Sequence, residues 1–317
     1  MAGALTWSVV LTTHNRSALL KRAIESCIAQ TAPCEIVVVD DCSTDDTEAM
    51  VGRFPQVTYI RNATNLGHSR TANIGIARAS GSWIKHLDDD DYLHPDCLRR
   101  MGEVIAGAQA CGYDPRIASC VSVNVDIDMN PLSQTTSLPI AKPALIERKD
   151  IIRIMMLDQA PLGTPVQVAH ERETGLRVGG WNEARPIKFQ NGDEAEFWIR
   201  VAPQGDTIMI PETLAYRTLW SGNEAPSHLD RLHISRYLKG RVQEQMGEQS
   251  GAQPDAEAPA DIVRYLDLHW GLVALKDGNL STALKLLPRG MLHPKSYSLI
   301  WRRRRFADAM QCAIALD

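Results

Sequence analysis

The chain has 317 residues, 44% hydrophobic and 23% charged, which is the composition of a folded globular protein rather than a disordered one. Its formal net charge of −4 gives no overall electrostatic basis for binding nucleic acid. The sequence has no run of 18 apolar residues and no signal-peptide pattern, and this predicts a cytoplasmic protein. Its seven scattered cysteines, none in a CxxC pair, indicate free thiols rather than disulfides or a zinc site.

The first ninety residues alternate strand and helix signals. Short apolar, β-branched runs predict four strands, at Ser8–Thr12, Glu35–Asp40, Val57–Ile60 and Trp83–Leu87. The second run is almost entirely apolar, as expected for a strand buried on both faces of a parallel sheet. Apolar residues at helical spacing follow the first and third runs. This order predicts an α/β fold with a doubly wound, mostly parallel sheet flanked by helices.

The rest of the chain carries weaker signals. Strands are predicted at 118–125 and 207–210, and a helix is predicted around 193–202. Gly, Gln, Glu, Asp, Ala and Pro dominate residues 243–261, which predicts a flexible linker before helical periodicity returns at 262–287. We therefore expect one α/β domain at residues 1–222 and a C-terminal helical extension at 223–317.

Four consecutive carboxylates, Asp88–Asp91, directly follow the fourth predicted strand. Like charges this close repel one another unless solvent or a cation neutralises them. Mg²⁺ and Mn²⁺ take oxygen ligands, often one or two carboxylates together with substrate phosphates. The alternative is a solvated acidic turn, but the run adjoins an apolar strand rather than a polar surface stretch. The pattern therefore favours a metal site at a strand end.

Three further segments carry polar groups that have both a functional and an ordinary interpretation. Asp40 and Asp41 end the second predicted strand, where they either bind a ligand or form an Asx turn and helix cap. The segment Asn65–Arg70 is either a diphosphate contact before a helix or a turn with an exposed arginine. Asp193 and Glu194 either supply a general base or simply stabilise the helix dipole. The sequence has no GxGxxG after the first strand, which argues against a classical NAD-binding fold.

Taken together and in this order, these segments resemble the family 2 glycosyltransferases with the GT-A fold. The resemblance covers about residues 5–220, and four blocks carry it: Ser8–Arg16, Val37–Thr47, Asn65–Asp91 and Gly179–Arg200. It implies an inverting, metal-dependent enzyme that uses Mn²⁺ or Mg²⁺ to move a sugar from a nucleotide-sugar donor, expected to be a UDP-sugar, to a hydroxyl group. It also implies a role in polysaccharide or glycoconjugate biosynthesis, with a glycan, a lipid-linked molecule or another hydroxyl compound as acceptor.

The resemblance assigns roles to individual positions. The implied nucleotide-binding residues are Thr12, Asn15, Arg16, Asp40, Asp41, Asn65, Gly67, Arg70 and Asp88. Within this set Asp40 is expected to contact the base. Asp90 and Asp88 form the DxD motif and the metal site, with Asp90 as the direct ligand. Gly180 and Trp181 are the implied acceptor-binding residues, and the tryptophan ring is expected to stack on a sugar. Glu194 is the expected catalytic base, with Asp193 as the second candidate.

The sequence departs from the family pattern at two places that bear on activity. The acidic pair reads Asp193-Glu194, whereas the family has Glu-Asp. A histidine that is frequent after Tyr216-Arg217 is replaced by Leu219, for which His228 is a candidate substitute. These departures leave a second hypothesis open, in which a catalytically degenerate GT-A domain acts as a nucleotide-sugar or glycan binding module.

A basic segment ends the helical extension. Arg302–Arg305 lie between Trp301 and Phe306, a composition that suits peripheral contact with an anionic membrane surface or a lipid-linked acceptor. The ordinary alternative is a solvated helix face that docks on the first domain. The expected location is therefore cytoplasmic, with peripheral contact at the inner face of the membrane.

Overall fold

The computed structural model describes residues 5–134, 139–159, 162–184, 192–220, 227–250, 259–305 and 313–316. The strands within these ranges are β1 Trp7–Thr13, β2 Cys34–Asp40, β3 Val57–Arg61, β4 Trp83–Asp88, β5 Tyr92–Leu93, β6 Pro115–Val125, β7 Pro131–Gln134, β8 Ala144–Ile146, β9 Val168–Glu171, β10 Asp206–Thr218 and β11 Ala313–Ala315. The α-helices are α1 Ser17–Ile28, α2 Thr47–Val51, α3 His68–Arg78, α4 Cys97–Ala110, α5 Arg148–Met156, α6 Arg172–Arg177, α7 Asp193–Val201, α8 His228–Ser250, α9 Ala260–Lys276, α10 Leu280–Met291 and α11 Pro294–Arg305.

A single mixed sheet organises these elements, in the order β11-β8-β10-β6-β9-β4-β1-β2-β3. The half built from β3, β2, β1 and β4 is entirely parallel, as the alternation of strand and helix predicts. Antiparallel β9 joins β4 to β6, and β6 pairs in parallel with β10. Short strands β5 and β7 pair with β10 and β6, respectively.

Helices cover both faces of the sheet, which confirms the doubly wound architecture. Alternate side chains of β1 point to opposite faces, so that Val9 and Leu11 join one buried cluster while Val10 joins another. Helices α1 and α4 pack on the first of these faces, and Cys27 is a buried residue of α1 there. Helices α3, α5, α7, α8 and α9 contribute to a second large cluster, which ties the C-terminal helices to the rest of the chain.

The C-terminal region is more helical than the sequence suggests. Helix α8 continues to Ser250, so residues 243–250 are not the flexible linker that their polar composition predicts. Glutamine and glutamate are good helix formers, and Val242 and Gln245 are buried on this helix. Residues 251–258, also within the predicted linker, lie outside the described part of the chain. Within the described ranges, no helix combines the length and hydrophobicity that crossing a membrane requires.

Candidate active site

The polar ends of three parallel strands meet at one edge of the sheet. β1 lies between β2 and β4, and its Thr12 pairs in register with Asp88 while Thr13 pairs with Asp40. The carboxyl ends of parallel strands open on a common crevice, which is where open α/β sheets bind their ligands. The structure therefore brings together the polar residues that follow β1, β2 and β4.

The acidic run after β4 is largely buried. Asp89, Asp90 and Asp91 retain only 3%, 8% and 3% of their accessible surface. Asp89 accepts hydrogen bonds from Thr13 Oγ1 at 2.8 Å and from Arg16 Nη1 at 3.0 Å. The solvated acidic turn considered above is therefore excluded, because these carboxylates are enclosed and bonded by the protein.

Groups from the end of β10 and from α1 complete the surroundings of the run. Asp90 Oδ2 accepts a hydrogen bond from Trp220 Nε1 at 2.9 Å, and Asp91 Oδ1 accepts one from the backbone N–H of Thr218 at 2.8 Å. The Arg22 guanidinium donates to the backbone carbonyl of Asp90 at 2.6 Å and to Thr218 Oγ1 at 2.7 Å. The backbone and side chains of the run are thus fixed from two distant parts of the sequence.

Burial and mutual repulsion work against ionisation of the run. Burial raises the pKa of Asp89 to about 6, although Arg16 opposes the shift. Burial and the charges of Asp90 and Asp88 raise the pKa of Asp91 well above its usual range. Burial, reinforced by Asp88, also raises the pKa of Asp90. The cluster holds more negative charge than its surroundings neutralise, and this is an arrangement that a cation would relieve.

Sequence reasoning did not identify Arg22, Thr218 or Trp220. Arg22 lies on α1 among residues that read as an ordinary amphipathic helix, and the other two lie about 130 residues after the acidic run. Arg16 packs over the Trp220 ring at 5.2 Å, and Arg22 packs over the Tyr92 ring at 4.8 Å. The packing of α1 and the irregular path of β10 bring these groups to the crevice, so no local pattern marks them.

The loop before α3 is fixed by Asp41. Its two carboxylate oxygens accept hydrogen bonds from the backbone N–H groups of Leu66 and Gly67, each at 2.7 Å, and Asn62 Nδ2 donates to it at 2.9 Å. Burial acts to raise the pKa of Asp41, but these hydrogen bonds outweigh it and the pKa is lowered. Gly67 adopts a positive φ of 82°, which glycine tolerates without strain. Asp41 thus keeps its charge and positions the start of α3.

Asn15 joins the loops that follow β1 and β2. Its backbone N–H donates to Ser43 Oγ at 2.8 Å, and its side-chain oxygen accepts from the backbone N–H of Thr44 at 2.7 Å. The residue itself is exposed, at a positive φ of 55°. It therefore lies on the rim of the crevice, with its position set by the neighbouring loop.

Asp40 does not have the surroundings that a contact with a base requires. The residue has no exposed surface, and its oxygens accept hydrogen bonds from the backbone N–H of Ser43 at 2.8 Å and from Tyr59 Oη at 2.6 Å. Arg61 Nε lies 3.7 Å from the same carboxylate. The prediction of a base contact is therefore corrected: Asp40 supports the wall behind the crevice, and the Asx-turn interpretation describes it.

The acidic pair Asp193 and Glu194 lies beside the Asp88–Asp91 run. Asp193 Oδ2 accepts a hydrogen bond from Ser69 Oγ at 3.1 Å, which joins the start of α7 to the start of α3. His68 Nε2 lies 3.4 Å from Asp88 Oδ1. Burial raises the pKa of Glu194, and the charge of Asp88 raises it further while His68 lowers it. Residues about one hundred positions apart are therefore close enough for their charges to interact.

Trp181 does not offer a ring to a sugar. Its side chain is 1% exposed and packs with His68, His86 and Phe197, with ring centroids 4.9, 5.2 and 5.6 Å away. The predicted stacking role is therefore wrong for this ring. Gly180 has a φ of +68°, and a Cβ there would lie 2.2 Å from Asn73 Oδ1. Both residues shape a loop against α3 rather than present a ligand surface.

Three other residues have partners outside the acidic cluster. The Arg70 guanidinium pairs with Glu183 at 3.3 Å, and both side chains are about half exposed. Asn65 is exposed, and its side chain accepts from the Gly67 N–H at 3.2 Å. His228, the candidate substitute for the missing histidine, lies 3.0 Å from Asp277 Oδ2. Trp220, rather than His228, is the residue that the structure places against Asp90.

The oxygen donors of Asp88 and Asp90 suit Mg²⁺ or Mn²⁺, although no cluster of three His, Cys, Asp or Glu side chains arranged for a metal occurs in the described ranges. These ions are often held by one or two carboxylates together with substrate phosphates, so two aspartates fit such a site. The Asp88 side chain is 32% exposed, whereas Asp90 Oδ2 is already engaged by Trp220. Binding through that oxygen requires the indole N–H to give way.

The architecture places the protein in the class with the GT-A fold. The crystal structure of S. aureus TarS 1-349 aligns with a TM-score of 0.62 and 16% identity, covering 97% of this chain and 91% of that one. The same protein in complex with UDP-GlcNAc aligns with a TM-score of 0.64 and 16% identity, covering 96% and 89%. At this identity the likeness is one of fold, and it confirms the GT-A prediction.

The sequence comparison then identifies the family. Residues 8–153 match the model described as "Glycosyl transferase family 2", which confirms the resemblance seen in the sequence. The succinoglycan biosynthesis protein ExoO of Rhizobium meliloti is 38% identical over 151 residues, which cover 45% of this chain and 42% of that protein. A Campylobacter jejuni protein named GalNAc(5)-diNAcBac-PP-undecaprenol beta-1,3-glucosyltransferase is 38% identical over 46% of this chain and 47% of its own length. The chain therefore matches less than half the length of each of these two relatives.

Proposed function

We propose that the chain is an inverting glycosyltransferase that moves a sugar from a nucleoside diphosphate sugar to an acceptor hydroxyl. The observation that carries the proposal is the meeting of Asp88, His68 and Glu194 at the end of β4. A donor-binding carboxylate and a candidate base lie in one crevice, as a direct transfer between two substrates requires.

In the proposed reaction Glu194 takes the proton of the acceptor hydroxyl. The acceptor oxygen then forms a bond to the anomeric carbon while the bond from that carbon to the diphosphate oxygen breaks. The diphosphate leaves with the electron pair, and attack from the opposite side inverts the anomeric configuration. The half-buried position of Glu194 and its raised pKa suit a base that must accept a proton. Asp193, hydrogen-bonded to Ser69, is the second candidate.

Asp88 and Asp90 would hold Mn²⁺ or Mg²⁺. When bound, such an ion neutralises the charge that develops on the departing diphosphate. Burial and the repulsion of neighbouring carboxylates raise the pKa of Asp90 and Asp91, and this supports the assignment because a cation would favour their ionised forms. A Mn²⁺ complex of the mannosyltransferase PcManGT, whose fold aligns with a TM-score of 0.51, is consistent with divalent metal use in this fold.

A uridine nucleotide is the proposed donor carrier, and a lipid-linked glycan is the proposed acceptor. The aligned TarS structures include complexes with UDP and with UDP-GlcNAc, which support the donor assignment. The name of the Campylobacter relative supports an acceptor carried on a polyprenyl diphosphate, and the succinoglycan relative supports a role in polysaccharide biosynthesis. A cytoplasmic location at the inner face of the membrane belongs to the same proposal.

Nucleotide binding and sugar transfer can be tested together. We expect UDP with Mn²⁺ to stabilise the chain by about 2.7 kcal/mol at 100 times its dissociation constant, and EDTA to reduce the shift. A panel of UDP- and GDP-sugars with a polyprenyl diphosphate-linked acceptor should then release nucleoside diphosphate. Asp88→Asn should weaken both responses, whereas Asp114→Asn, at an exposed turn, should leave them unchanged. Absence of a thermal shift with every nucleotide would contradict the proposal.

The second candidate function, a binding module without transfer activity, has one specific observation in its favour. Trp220 engages one oxygen of Asp90, the expected metal ligand, and Leu219 stands where the family often has histidine. This hypothesis predicts a thermal shift with nucleotide sugar but no release of nucleoside diphosphate when an acceptor is added. The same panel therefore separates the two functions.

A further inference from the structure

Exposed apolar side chains concentrate on the last three helices. Among the described residues, eight of the fourteen large hydrophobic side chains that are exposed lie between Leu272 and Trp301. The most exposed of them form what we call the C-terminal surface, comprising Leu280, Leu284, Met291, Leu292, Tyr297 and Trp301. The last three helices contact one another, and exposed apolar side chains grouped on adjoining helices often mark a place where another molecule binds.

Helix α10 carries the centre of this surface. Leu280, Leu284 and Met291 are spaced four and seven residues apart, so they project from the same side of the helix, and they are 61%, 74% and 53% exposed. The side that includes Ala283 and Leu286 is buried. Helix α10 therefore has two apolar sides, and only one of them is covered by the described part of the chain.

Positive charge accompanies the exposed leucines. Between Leu272 and Arg305 the sequence has eight lysines and arginines and a single acidic residue, Asp277, whereas the whole chain has a net charge of −4. Lys285 and Arg289 lie on α10 itself and are exposed, and α11 ends with Arg302–Arg305. This excess of positive charge therefore lies on the helices that also expose apolar side chains.

We propose that the C-terminal surface docks the protein on an anionic membrane. Exposed leucines beside lysine and arginine match the two layers of such a surface, since apolar groups enter the acyl boundary and cations meet the lipid phosphates. The surface lies on α10 and α11, whereas the carboxylates of the crevice lie at the end of β4. Docking therefore employs residues that the proposed transfer reaction does not use.

A second copy of the chain is the main alternative occupant. A symmetric dimer would bring the same patch of both protomers together, and each patch carries the same excess of positive charge. Such an interface would place like charges next to each other, which is unfavourable. The charge of the patch therefore favours the lipid surface over self-association.

Vesicle flotation of the full chain tests the proposal without donor or acceptor. We expect the protein to float with vesicles of phosphatidylcholine and phosphatidylglycerol in a 7:3 ratio, and not with phosphatidylcholine alone. Leu280→Ser/Leu284→Ser and Lys285→Glu/Arg289→Glu should each reduce the bound fraction at least about tenfold. Leu132→Ser and Arg53→Glu, at exposed sites elsewhere, are the matched controls and should bind like the unmodified chain.

The alternative outcomes are distinct. Absence of binding to anionic vesicles overturns the proposal, and so does equal binding of all variants. If the unmodified chain is a dimer in light scattering and does not bind vesicles, and the Leu280→Ser/Leu284→Ser variant is a monomer, the surface would be assigned to self-association instead. Circular dichroism melts of each variant verify folding, and because nucleotide binding is measured separately, failure here leaves the proposed transfer reaction untouched.

Discussion

The body of β4 and the turn that follows it bury polar groups in opposite ways. In the strand body, Lys85 is 0% exposed and its ammonium has no hydrogen-bond partner among the described residues. His86 is 3% exposed and meets His170, with the two Nε2 atoms 3.1 Å apart. In the turn, by contrast, each of the three buried aspartates accepts at least one hydrogen bond from elsewhere in the chain.

This difference distinguishes residues that support the fold from residues that serve activity, although they are only a few positions apart in the chain. Burial lowers the pKa of His86 and His170, so the histidine pair that the strand body forms with β9 is held neutral. The turn concentrates negative charge and surrounds it with arginine, indole and backbone N–H donors. Carboxylates that repel one another at the end of a strand are typical of functional sites, and we therefore expect the turn to govern activity and the strand body to govern stability.

The largest effect should come from the base proposed beside the turn. Glu194→Gln keeps the shape of the side chain but removes its ability to accept a proton, so turnover should fall about 10²–10⁴-fold. Calorimetry should show unchanged affinity for the donor nucleotide, and Glu48→Gln on exposed α2 serves as the control. Because burial raises the pKa of Glu194, kcat/KM of the unmodified chain should decline on acidification at a higher pH than an ordinary glutamate would give. Turnover near that of the unmodified chain would transfer the role to Asp193.

The histidine pair should make stability depend on pH. Burial lowers the pKa of His170 to about 4, whereas the unfolded state has a pKa of about 6.5. For His170 alone, this difference in pKa contributes about 3 kcal/mol to the free energy of unfolding. The contribution is fully present above pH 6.5 and is lost as the pH falls towards 4. Urea unfolding across this range should show a larger loss for the unmodified chain than for His86→Leu/His170→Leu.

Comparing the two proteins at each pH cancels the contribution of the carboxylates that both contain. His233→Gln, at an exposed position of α8, should follow the unmodified chain. Parallel pH profiles for the unmodified chain and the double variant would show that folding leaves the pKa values of the histidine pair unchanged, and the contrast between strand body and turn would then fail.

The same contrast explains what the sequence could predict. Strands β1 to β4 and the acidic run were predictable because an apolar strand followed by carboxylates is a local pattern. The burial of Trp181 could not be predicted. A tryptophan that follows two glycines has the same sequence pattern whether its ring stacks on a sugar or packs in a core. The partners Arg22, Thr218 and Trp220 were missed because their approach depends on how α1 and β10 cross the crevice.

Lys85 offers a smaller test of the strand body. A buried polar group without a partner costs about 1–3 kcal/mol, and methionine fills a similar volume without that cost. We expect Lys85→Met to raise the free energy of unfolding by about this amount. Lys21→Met, whose side chain is 55% exposed on α1, should change it by less than about 0.5 kcal/mol. A destabilised Lys85→Met variant would indicate that the ammonium is satisfied in solution, and the strand body would then resemble the turn.

The smallest effect should reveal how the turn receives a cation. Trp220 Nε1 and a metal ion compete for the same oxygen of Asp90, so Trp220→Phe should bind Mn²⁺ more tightly. A hydrogen bond to a charged group is worth about 1.5 kcal/mol or more, which corresponds to about tenfold in affinity. Electron paramagnetic resonance of free Mn²⁺ in the presence of UDP measures this directly, with exposed Trp301→Phe as control. Unchanged affinity would mean that the ion does not use this oxygen, whereas weaker binding would make Trp220 a support of the site rather than a competitor for it.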